Sequence, residues 1–467
     1  MTVLAQLEAS VLSADRLNQD GVPSASLAIL EDGKTTAHVI TRGSENAETV
    51  FQACSISKAI TALAVAKLID QGHIAYDTKV IDHLPKSTVE CIIDAKTARL
   101  MQYVTVGMLL SHTSGLSQGG FPGYLGDPPS AEDVLAGRAP SNTPKVHFKT
   151  FPGAQFSYSG GGFTVLQIVL ESAMSKPFPQ IMQEVVLKPL GMTRSWYGDL
   201  PEGEKNYARA RWTSSTSFPG DAKYHHFAEH AAASLWCTPS DLLKAVSAIQ
   251  DSLSADSGFI TKQTAKKMLT PVYRSDWLGG MGLGWAANDE TFAHAGDNWP
   301  GYTSYVFGFH GGIESADGSS RPRNGIALMV NSWLGHDVAI KQIVSAVYYL
   351  QGWGRFKMLP SGFGKDDYVP YAAPEGTHVD EAWKDWIGQW GADWQMVDHD
   401  GPACQYRDMD PMKMRPAAAP THVFEDGRKE LFFVVDGLKI GLRLTWEDGT
   451  EVVQLLQAEA TTLKRRE

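Results

Sequence analysis

The chain has 467 residues, of which 43% are hydrophobic and 20% are charged, and its formal net charge is −11 at pH 7. This is the composition of a globular protein, and the length suffices for one large domain and a smaller one. The acidic balance argues against nucleic-acid binding, and it offers no basic patch for an anionic membrane surface.

The cysteines and the N-terminal sequence narrow the class of protein further. Cys54, Cys91, Cys237 and Cys404 are far apart in the sequence and form no Cys-x-x-Cys pair, so a metal knuckle is not expected. The first ten residues lack the basic start and the long apolar core of a signal peptide, and no window reaches the length of a transmembrane helix. We therefore expect a reduced, cytoplasmic protein.

The N-terminal part of the chain predicts a helix, a hairpin and a second, buried helix. Residues 1–20 have an amphipathic pattern, and residues 23–40 read as two strands around a turn at 31–34. From residue 55 to residue 70 the chain has neither Pro nor Gly and is rich in Ala and Leu, which predicts a helix. This helix is apolar on nearly all sides, so we expect it to be buried inside a domain.

The first turn of the buried helix carries a candidate catalytic pair, Ser55 and Lys58. Free backbone N–H groups and the positive end of the helix dipole favour an oxyanion beside Ser55. Lys58 follows one turn later on the same face, and apolar surroundings would disfavour its charged form, so that it could act as a base. A hydroxyl beside such a lysine is the arrangement of an acylated serine. The Ser-x-x-Lys pattern alone is weak, because about two matches arise by chance in a chain of this length.

The middle of the chain predicts helices, strands and one long loop. Residues 117–150, rich in Gly, Pro and Ser, read as a long surface excursion. The other predicted elements are helices over residues 104–115, 164–172, 178–187 and 338–350, a helix that begins at Thr238, short strands within 281–310 and a buried strand over 325–331.

A change of composition near residue 359 indicates a boundary. Residues 359–380 are polar with repeated Pro and Gly, which is typical of a linker. The short apolar runs after it predict hairpin strands and hence a small β-rich C-terminal domain. We therefore divide the chain into a domain at 1–358, a linker at 359–380 and a C-terminal domain at 381–467.

Tyr158-Ser159-Gly160, just before a predicted helix, is a candidate partner motif for the pair of Ser55 and Lys58. A tyrosine in that position can take or give a proton, provided that a neighbouring cation lowers its pKa, and Lys58 could be that cation. A tyrosine that merely packs in a loop is the alternative for an isolated motif of this kind.

A second candidate motif is His294-Ala295-Gly296, which follows a predicted strand. On an edge strand lining a cleft, Gly lets a substrate approach the backbone closely. The next N–H group, that of Asp297, would pair with the N–H of Ser55 as an oxyanion hole. Taken alone, His294 could equally be structural.

Ser117 is a rival nucleophile, because Gly115-Leu116-Ser117-Gln118-Gly119 matches the G-x-S-x-G elbow. That elbow needs a strand before the serine and a helix after it. Here a predicted helix precedes the motif, and the Gly- and Pro-rich stretch that follows cannot be helical. The sequence therefore favours Ser55.

The three motifs together resemble those of the serine β-lactamase and penicillin-binding-protein superfamily, in its class C-like branch. Ser55-x-x-Lys58 resembles the first motif, and Tyr158-Ser159-Gly160 is similar to the second, Tyr-x-Asn. His294-Ala295-Gly296 resembles the third in its His-x-Gly form. The resemblance covers roughly residues 10–355 and includes family signatures at Leu109-Leu-Ser-His-Thr-Ser-Gly-Leu, Lys188-Pro-Leu-Gly-Met, Gly282-Leu-Gly-Trp and Leu328-Met-Val-Asn-Ser.

The resemblance implies an α/β (α+β) sandwich, in which helices flank an antiparallel sheet, with a helical subdomain beside it and the Ser55 helix between the two. It implies that His112 is structural rather than catalytic. The branch holds class C β-lactamases, D-alanyl-D-alanine carboxypeptidases, D-aminopeptidases, family VIII esterases and acyltransferases of polyketide pathways. The C-terminal part is similar to the β-barrel-like appendage of some of these relatives.

Two departures from the family pattern bear on the substrate. Gly160 stands where β-lactamases carry Asn, so the side-chain amide that would hold a substrate amide is missing. His294 replaces Lys, which weakens recognition of a β-lactam carboxylate. Both departures disfavour efficient β-lactamase activity, and they favour esters, lactones, acyl transfer or amides of D-amino acids.

We therefore interpret the chain as a serine-dependent acyl-enzyme hydrolase that needs neither a metal nor an organic cofactor. Lys58 and Tyr158 would deprotonate Ser55, and Tyr158 or His294 would protonate the leaving group. The oxyanion and substrate contacts would come from Ser55, Gly296, Asp297, Ser159 and Gly160, and the candidate pocket walls are Tyr124, Trp212, Trp285, Trp299 and Tyr302.

Two alternatives stay open at this point. One is an acyltransferase of secondary metabolism, which would pass an acyl group from a thioester to an alcohol or amine; the other is a catalytically idle binding relative. The expected partner is a small-molecule acyl donor, with or without an acceptor, and neither nucleic acid nor a membrane. The sequence leaves the oligomeric state open.

Overall fold

The structure is a computed structural model, and it describes most of the chain. The described residues are 13–19, 21–94, 96–211, 223–273, 280–298, 301–311, 323–332, 343–344, 346–347, 351, 353, 378–391, 394–406, 410–416, 424, 426–435, 440–447, 449–456 and 461–466.

The chain forms two compact units. One unit consists of residues 21–335 and 359–361, and the other of residues 1–20, 336–358 and 362–467. The predicted boundary at 358 and nearly all of the predicted linker fall within 354–377, outside the described residues. The domain bounds proposed from the sequence therefore stay a prediction.

The helices of the described residues are α1 (Ala14–Gln19), α2 (Ile56–Asp70), α3 (Lys86–Ile92), α4 (Val106–Leu110), α5 (Ala131–Ala136), α6 (Gly160–Met174), α7 (Phe178–Met182), α8 (His230–Ala233), α9 (Pro239–Ser254) and α10 (Lys262–Leu269), with 3₁₀ turns at Val80–Asp82, Leu100–Tyr103 and Glu381–Trp386 and a π-helical turn at Gln183–Leu187. Several of them begin where a Ser or Thr hydroxyl accepts a hydrogen bond from the backbone N–H three residues later, which satisfies a donor that the helix leaves free. These capping residues are Thr105, Ser130, Ser159, Thr238 and Thr261.

The described strands of the larger unit are β1 (Ser24–Glu31), β2 (Lys34–Thr41), β3 (Phe51–Gln52), β4 (Trp196–Tyr197), β5 (Leu235–Cys237), β6 (Ala286–Ala287), β7 (Thr291–Asn298), β8 (Tyr302–Phe309) and β9 (Gly325–Val330). Six of them form an antiparallel sheet in the order β2-β1-β9-β8-β7-β6. A three-stranded sheet in the order β3-β5-β4 lies in the same unit. Helix α9 packs on β1, β2, β8 and β9.

Helix α2 lies inside this unit, as its sequence predicts. All of its residues except Lys67, Ile69 and Asp70 are buried. It packs against β7 and β8 on the sheet side, and against α8, α10 and the π-helical turn elsewhere. A helix enclosed in this way has no polar face, which explains the Ala- and Leu-rich sequence.

The structure confirms the predicted fold class, and it corrects the local interpretation of two segments. Residues 117–150, predicted to be a surface excursion, contain α5, whose Val134 and Leu135 are fully buried. Helix α5 packs against α3 and α6, so part of this stretch contributes to the core. The predicted helix over 178–187 is divided into α7 and the π-helical turn.

The smaller unit contains an eight-stranded antiparallel meander, in which each strand pairs with the next. Its strands are β10 (Gly388–Trp390), β11 (Trp394–Asp398), β12 (Pro402–Tyr406), β13 (Met412–Pro416), β14 (Leu431–Val435), β15 (Ile440–Glu447), β16 (Thr450–Leu456) and β17 (Thr461–Lys464). Trp390 pairs with Arg465, and the Gly391 N–H donates to the Lys464 carbonyl at 2.9 Å, so the first strand meets the last. The meander therefore closes into a barrel.

The barrel core is rich in aromatic and sulfur-containing side chains. Trp383, Trp386 and Trp390 are buried, and the indole N–H of Trp390 donates to the Trp386 carbonyl at 2.8 Å. Met396 and Cys404 pack with them.

No helix among the described residues is both long and apolar enough to span a membrane.

Candidate active site

Ser55 is presented at the start of α2 by an unusual turn. The preceding residue, Cys54, has a φ angle of 54°, which lies in the left-handed region that residues other than Gly rarely adopt. Ser55 itself stays partly exposed, whereas Cys54 is fully buried. Burial raises the pKa of the Cys54 thiol well above its usual value, and the thiol donates to the Gln52 carbonyl at 3.3 Å. Cys54 is therefore a packed thiol, and Ser55 is the accessible hydroxyl.

Lys58 lies beside Ser55 and is buried, with 2% of its surface exposed. Its Nζ is 3.1 Å from Ser55 Oγ and donates to the carbonyl of Ala232 at 2.8 Å. Burial lowers the pKa of Lys58 from 10.5 to about 7, although nearby Cys54 and Glu229 act in the opposite direction. Because a large share of the lysine is then neutral near pH 7, its lone pair can accept the Ser55 proton.

Tyr158 also reaches the site, but its electrostatics differ from the prediction. Its ring lies beneath Lys58, with Nζ 5.2 Å from the ring centroid, and the Ser55 side chain interacts with its hydroxyl and lowers the pKa of the phenol. From the sequence we expect Lys58 to lower the pKa of Tyr158. Instead, burial raises the pKa of Tyr158 to about 12, and the interaction with the Ser55 side chain opposes this only in part. The phenol therefore stays protonated, as a proton donor does.

His294 lies on β7 and is buried, with 6% of its surface exposed. Burial lowers the pKa of His294 to about 4, and the charge of Lys58 acts in the same direction. The imidazole is therefore neutral near pH 7. Its Nδ1 lies 2.6 Å from the Ala295 carbonyl, which fixes the proton on Nδ1 and leaves Nε2 as an acceptor. To protonate a leaving group, Nε2 of His294 would have to carry a proton, and in this neutral form it carries none. The geometry therefore favours Tyr158 over His294 as the proton donor.

Gly296 and Asp297 form the part of β7 next to Ser55. A Cβ at Gly296 would lie 2.5 Å from the Ser55 nitrogen, so the two backbones approach with no side chain between them. Strand β6 pairs with β7 only at Phe292 and Ala293, which leaves the edge beyond them outside that ladder. The side chain of Asp297 is exposed. This placement agrees with the predicted pairing of the Ser55 and Asp297 N–H groups, whose role stays a prediction.

The structure gives Ser159 a different role from the predicted one. Ser159 is 1% exposed. Its hydroxyl accepts a hydrogen bond from the Gly162 N–H at 2.8 Å and donates one to the Ser117 carbonyl at 2.9 Å. A hydroxyl engaged on both sides caps α6 and does not face a substrate. Gly160 is also buried: a Cβ there would lie 2.7 Å from Phe121 Cε2 and 3.0 Å from the Gly119 carbonyl oxygen. The place of the family's Asn amide is therefore occupied.

His112 supports Tyr158 from behind. Its Nδ1 accepts the Ser159 N–H at 3.1 Å, its carbonyl accepts the Ser157 N–H at 2.8 Å, and its ring centroid lies 4.3 Å from that of Tyr158. These contacts hold both neighbours of Tyr158. They agree with the structural role that the resemblance implies.

The candidate pocket walls have divergent positions. Trp285 is fully buried with an edge contact to Phe292, and Tyr302 is 1% exposed with its hydroxyl donating to the Ala208 carbonyl at 2.6 Å. Both belong to the core, so their prediction as walls was wrong. Tyr124 is 9% exposed and packs in a small cluster with Val134 and Ala228. Trp212 and Trp299 lie outside the described residues.

Ser117, the rival nucleophile, lies in an unsuitable frame. Leu116 forms an isolated bridge with Phe148, and the nearest following helix, α5, begins only at Ala131. Ser117 is 6% exposed, and its Oγ lies 3.2 Å from Nδ1 of His147. A nucleophile elbow needs an exposed hydroxyl on a sharp turn between a strand and a helix, which this segment lacks.

Glu229 is a titratable residue near the site that no sequence motif indicates. It is fully buried directly before α8, and Lys58 acts on it electrostatically. The sequence around it, Ala-Glu-His-Ala-Ala-Ala, reads as an ordinary solvent-facing helix start, so no local signal marks it.

Within the described residues, no group of three His, Cys, Asp or Glu side chains is arranged to hold a metal ion.

Curated proteins match part of this chain in sequence. "Penicillin-binding protein 4" of Amycolatopsis lactamdurans is 35% identical over 187 residues, which are 39% of this chain and 46% of that protein. "D-alanyl-D-alanine-carboxypeptidase/endopeptidase AmpH" of Escherichia coli (strain K12) is 24% identical over 231 residues, 49% of this chain and 54% of that protein. The chain thus spans about half the length of these curated relatives.

Solved structures resemble this fold at low sequence identity. The octameric penicillin-binding protein homologue from Pyrococcus abyssi has a TM-score of 0.59 at 20% identity, over 99% of this chain and 100% of that one. A D-stereospecific amidohydrolase from Streptomyces sp. has a TM-score of 0.54 at 20% identity, over 75% of this chain and 98% of that one. The sequence profile of the Beta-lactamase family matches residues 7–346, which is most of the chain. The Ser55–Lys58 pair lies at the backbone contact between α2 and β7, where Ser55 stays partly exposed. Because the family profile matches most of the chain, the protein belongs to the Beta-lactamase family.

Proposed function

We propose that the protein is a serine hydrolase that forms an acyl-enzyme at Ser55 and acts on an amide or ester of a small molecule. The observation that carries this proposal is the contact of 3.1 Å between Lys58 Nζ and Ser55 Oγ, made by a lysine whose pKa is lowered to about 7 by burial. A buried amine in contact with an accessible hydroxyl at a helix N-terminus is the arrangement of an activated nucleophile.

The first step transfers the acyl group to the serine. Ser55 Oγ bonds to the substrate carbonyl carbon, its proton passes to Lys58 Nζ, and the carbonyl π electrons move onto the oxygen. The N–H groups of Ser55 and Asp297 would hold this oxyanion. When the bond to the leaving group breaks, Tyr158 gives that group its proton, and the proton on Lys58 restores the phenol. Water then attacks the acyl carbon, the bond between that carbon and Ser55 Oγ breaks, and the proton that water gives up returns to Ser55 Oγ, so that the acid is released and the enzyme is restored.

We propose amides of D-amino acids as the first substrates to test. The similar solved structures include a D-stereospecific amidohydrolase and a D-amino acid amidase from Ochrobactrum anthropi, although at 18–20% identity they share only the fold. Strong β-lactamase activity is not expected. The neutral imidazole of His294 offers no positive charge to a β-lactam carboxylate, and Phe121 fills the space beside Gly160.

Peptide mapping after brief exposure to a fluorophosphonate tests the nucleophile. We expect a single adduct on Ser55, absent from Ser55→Ala and retained in Ser117→Ala. An adduct on Ser117 would refute the proposal, and the lack of any adduct would favour a catalytically idle relative. Turnover of D-amino acid amides without an added alcohol or amine acceptor would then separate a hydrolase from an acyltransferase.

A further inference from the structure

A second buried ionisable group lies close to Lys58. Glu229 is 0% exposed, and neither of its carboxyl oxygens has a hydrogen-bond partner of good geometry among the described residues. A buried carboxyl without well-aligned hydrogen bonds is costly, so such a group in a folded protein is expected to have a function. The reaction steps described above do not use it.

The backbone of Glu229 builds the turn that holds Lys58. Its carbonyl accepts the N–H groups of Ala232 and Ala233, each at 3.0 Å. The carbonyl of Ala232 in turn accepts the hydrogen bond from Lys58 Nζ at 2.8 Å. The carboxyl group and the acceptor of Lys58 therefore belong to the same rigid turn, which packs on α2 and α6.

Gln167 of α6 fixes this turn on both sides of Glu229. Its Nε2 donates to the Ala228 carbonyl at 3.3 Å, and its Oε1 accepts the Ala231 N–H at 3.2 Å. The side-chain amide thereby holds residues before and after Glu229 in place.

Several titratable groups surround Lys58 and Glu229. Burial raises the pKa of Glu229 to about 7; the backbone N–H groups of Glu229 and Ala228 and, to a smaller extent, the charge of Lys58 oppose this shift, so a share of the carboxyl is ionised near pH 7. The titratable groups that face Lys58 or Glu229 are Cys54, His112, Tyr124, Tyr158 and His294. Burial favours the neutral form of each of these, because it raises the pKa of the thiol and the phenols and lowers that of the imidazoles. Asp297 acts on Cys54 and Tyr158.

We propose that Glu229 is a positioning residue for acylation, and that its carboxylate stabilises the ammonium ion that forms on Lys58 when Ser55 gives up its proton. This inference rests on the proposed function. The proton leaves Ser55 Oγ, the new N–H bond forms on Lys58, and the positive charge that appears there is attracted by the carboxylate of Glu229 across a medium of low dielectric constant. Glu229 itself neither touches the substrate nor changes its bonds.

The pH dependence of fluorophosphonate labelling at Ser55 tests this inference on the intact chain. Glu229→Gln keeps the shape and removes the charge. Without the carboxylate the lysine loses its proton at lower pH but is a weaker base. We therefore expect the acid limb of the labelling rate to move to lower pH and the plateau rate to fall several-fold. Glu229→Asp, which keeps the charge, should restore the limb of the wild type.

A matched control is Glu171→Gln. Glu171 is a partly buried carboxyl on α6 that accepts the Phe178 N–H at 3.0 Å, and its variant should leave the limb in place. Should Glu229→Gln fold poorly, Glu229→Met offers an apolar side chain of similar length with the same expected shift. If the acid limb of folded Glu229→Gln or Glu229→Met coincides with that of the wild type, or moves to higher pH, this inference is wrong and the proposed function is unaffected. A wild-type protein that is not labelled at Ser55 would instead refute the proposed function.

Discussion

A Cβ at Gly296 would lie 2.5 Å from the backbone nitrogen of Ser55, 2.8 Å from Cβ of Cys54 and 2.9 Å from the carbonyl oxygen of Ala53. Two of these neighbours are backbone atoms that cannot rotate away. Strand β7 and the first turn of α2 therefore meet in direct backbone contact. This contact sets the position of the Ser55 N–H relative to the strand edge.

We expect Gly296→Ala to abolish most Ser55 labelling while the protein still folds. The added methyl group must push β7 away from Ser55, and the loss of one oxyanion donor alone costs about 10²–10³-fold in rate. Labelling kinetics and a thermal melt measure the two effects. Gly126→Ala is the matched control, because a Cβ there meets nothing within 4 Å. Equal labelling rates in Gly296→Ala and Gly126→Ala would contradict this account.

Acylation of Ser55 should rise with pH through about 7. Only the neutral amine of Lys58 accepts the serine proton, and burial lowers the pKa of that lysine to about 7. The rate of fluorophosphonate labelling should therefore increase as Lys58 loses its proton and level off above that pH. A labelling rate that is constant across this range, or that falls as the pH rises, would rule out Lys58 as the base.

The same lysine should make the free energy of unfolding depend on pH. Between about 7 and 10.5 the unfolded chain binds a proton on Lys58 that the folded chain does not. Stability must therefore rise with pH in that window. Urea unfolding should show the wild type gaining stability relative to Lys58→Met as the pH increases across it. Ser55→Ala, which keeps the lysine, should follow the wild type; a constant difference between wild type and Lys58→Met would contradict the lowered pKa.

Tyr158→Phe should affect substrates according to their leaving groups. The phenol stays protonated because burial raises the pKa of Tyr158 to about 12, so it can supply a proton to the group that departs. An amide needs this proton and a p-nitrophenyl ester does not. We expect amide turnover to fall by about 10²–10⁴-fold and ester turnover by much less, measured as kcat/KM on an amide and an ester of the same acid. Equal losses on both would assign Tyr158 another role.

Gly160→Asn should destabilise the protein. Its Cβ would lie 2.7 Å from Phe121 Cε2, at the end of a movable ring, but also 3.0 Å from the carbonyl oxygen of Gly119. Overpacking of this kind costs about 1–3 kcal/mol. In a Phe121→Ala background the loss in free energy of unfolding should shrink without vanishing, because the carbonyl remains. An identical loss in both backgrounds would show that the ring does not occupy the space of the side chain.

The sequence predicted the parts of the site that depend on local pattern. The apolar run after Ser55 indicated a buried helix, and burial is also what lowers the pKa of Lys58, so fold and chemistry followed from the same residues. Helix α5 was missed because its buried residues Val134 and Leu135 lie within a Gly- and Pro-rich context that is typical of loops.

Effects that arise only in three dimensions could not be predicted in this way. The proximity of Lys58 suggested a lowered pKa for Tyr158, yet burial of the phenol outweighs the lysine. Trp285 and Tyr302 have the composition of pocket walls, but whether an aromatic ring faces a cleft or the core depends on packing. Glu229 comes close to Lys58 from 171 positions further along the sequence, through the turn before α8.

The pairing of Trp390 with Arg465 has a consequence for how the smaller unit can associate with other molecules. An open sheet offers the unpaired N–H and C=O groups of its outermost strands to any extended chain, and association by strand addition starts there. Here the first and last strands satisfy each other, with the Arg466 N–H donating to the Gln389 carbonyl at 2.9 Å. Contacts made at this seam must therefore use side chains, which can select among partners. Backbone groups would instead pair with any extended chain, whatever its sequence.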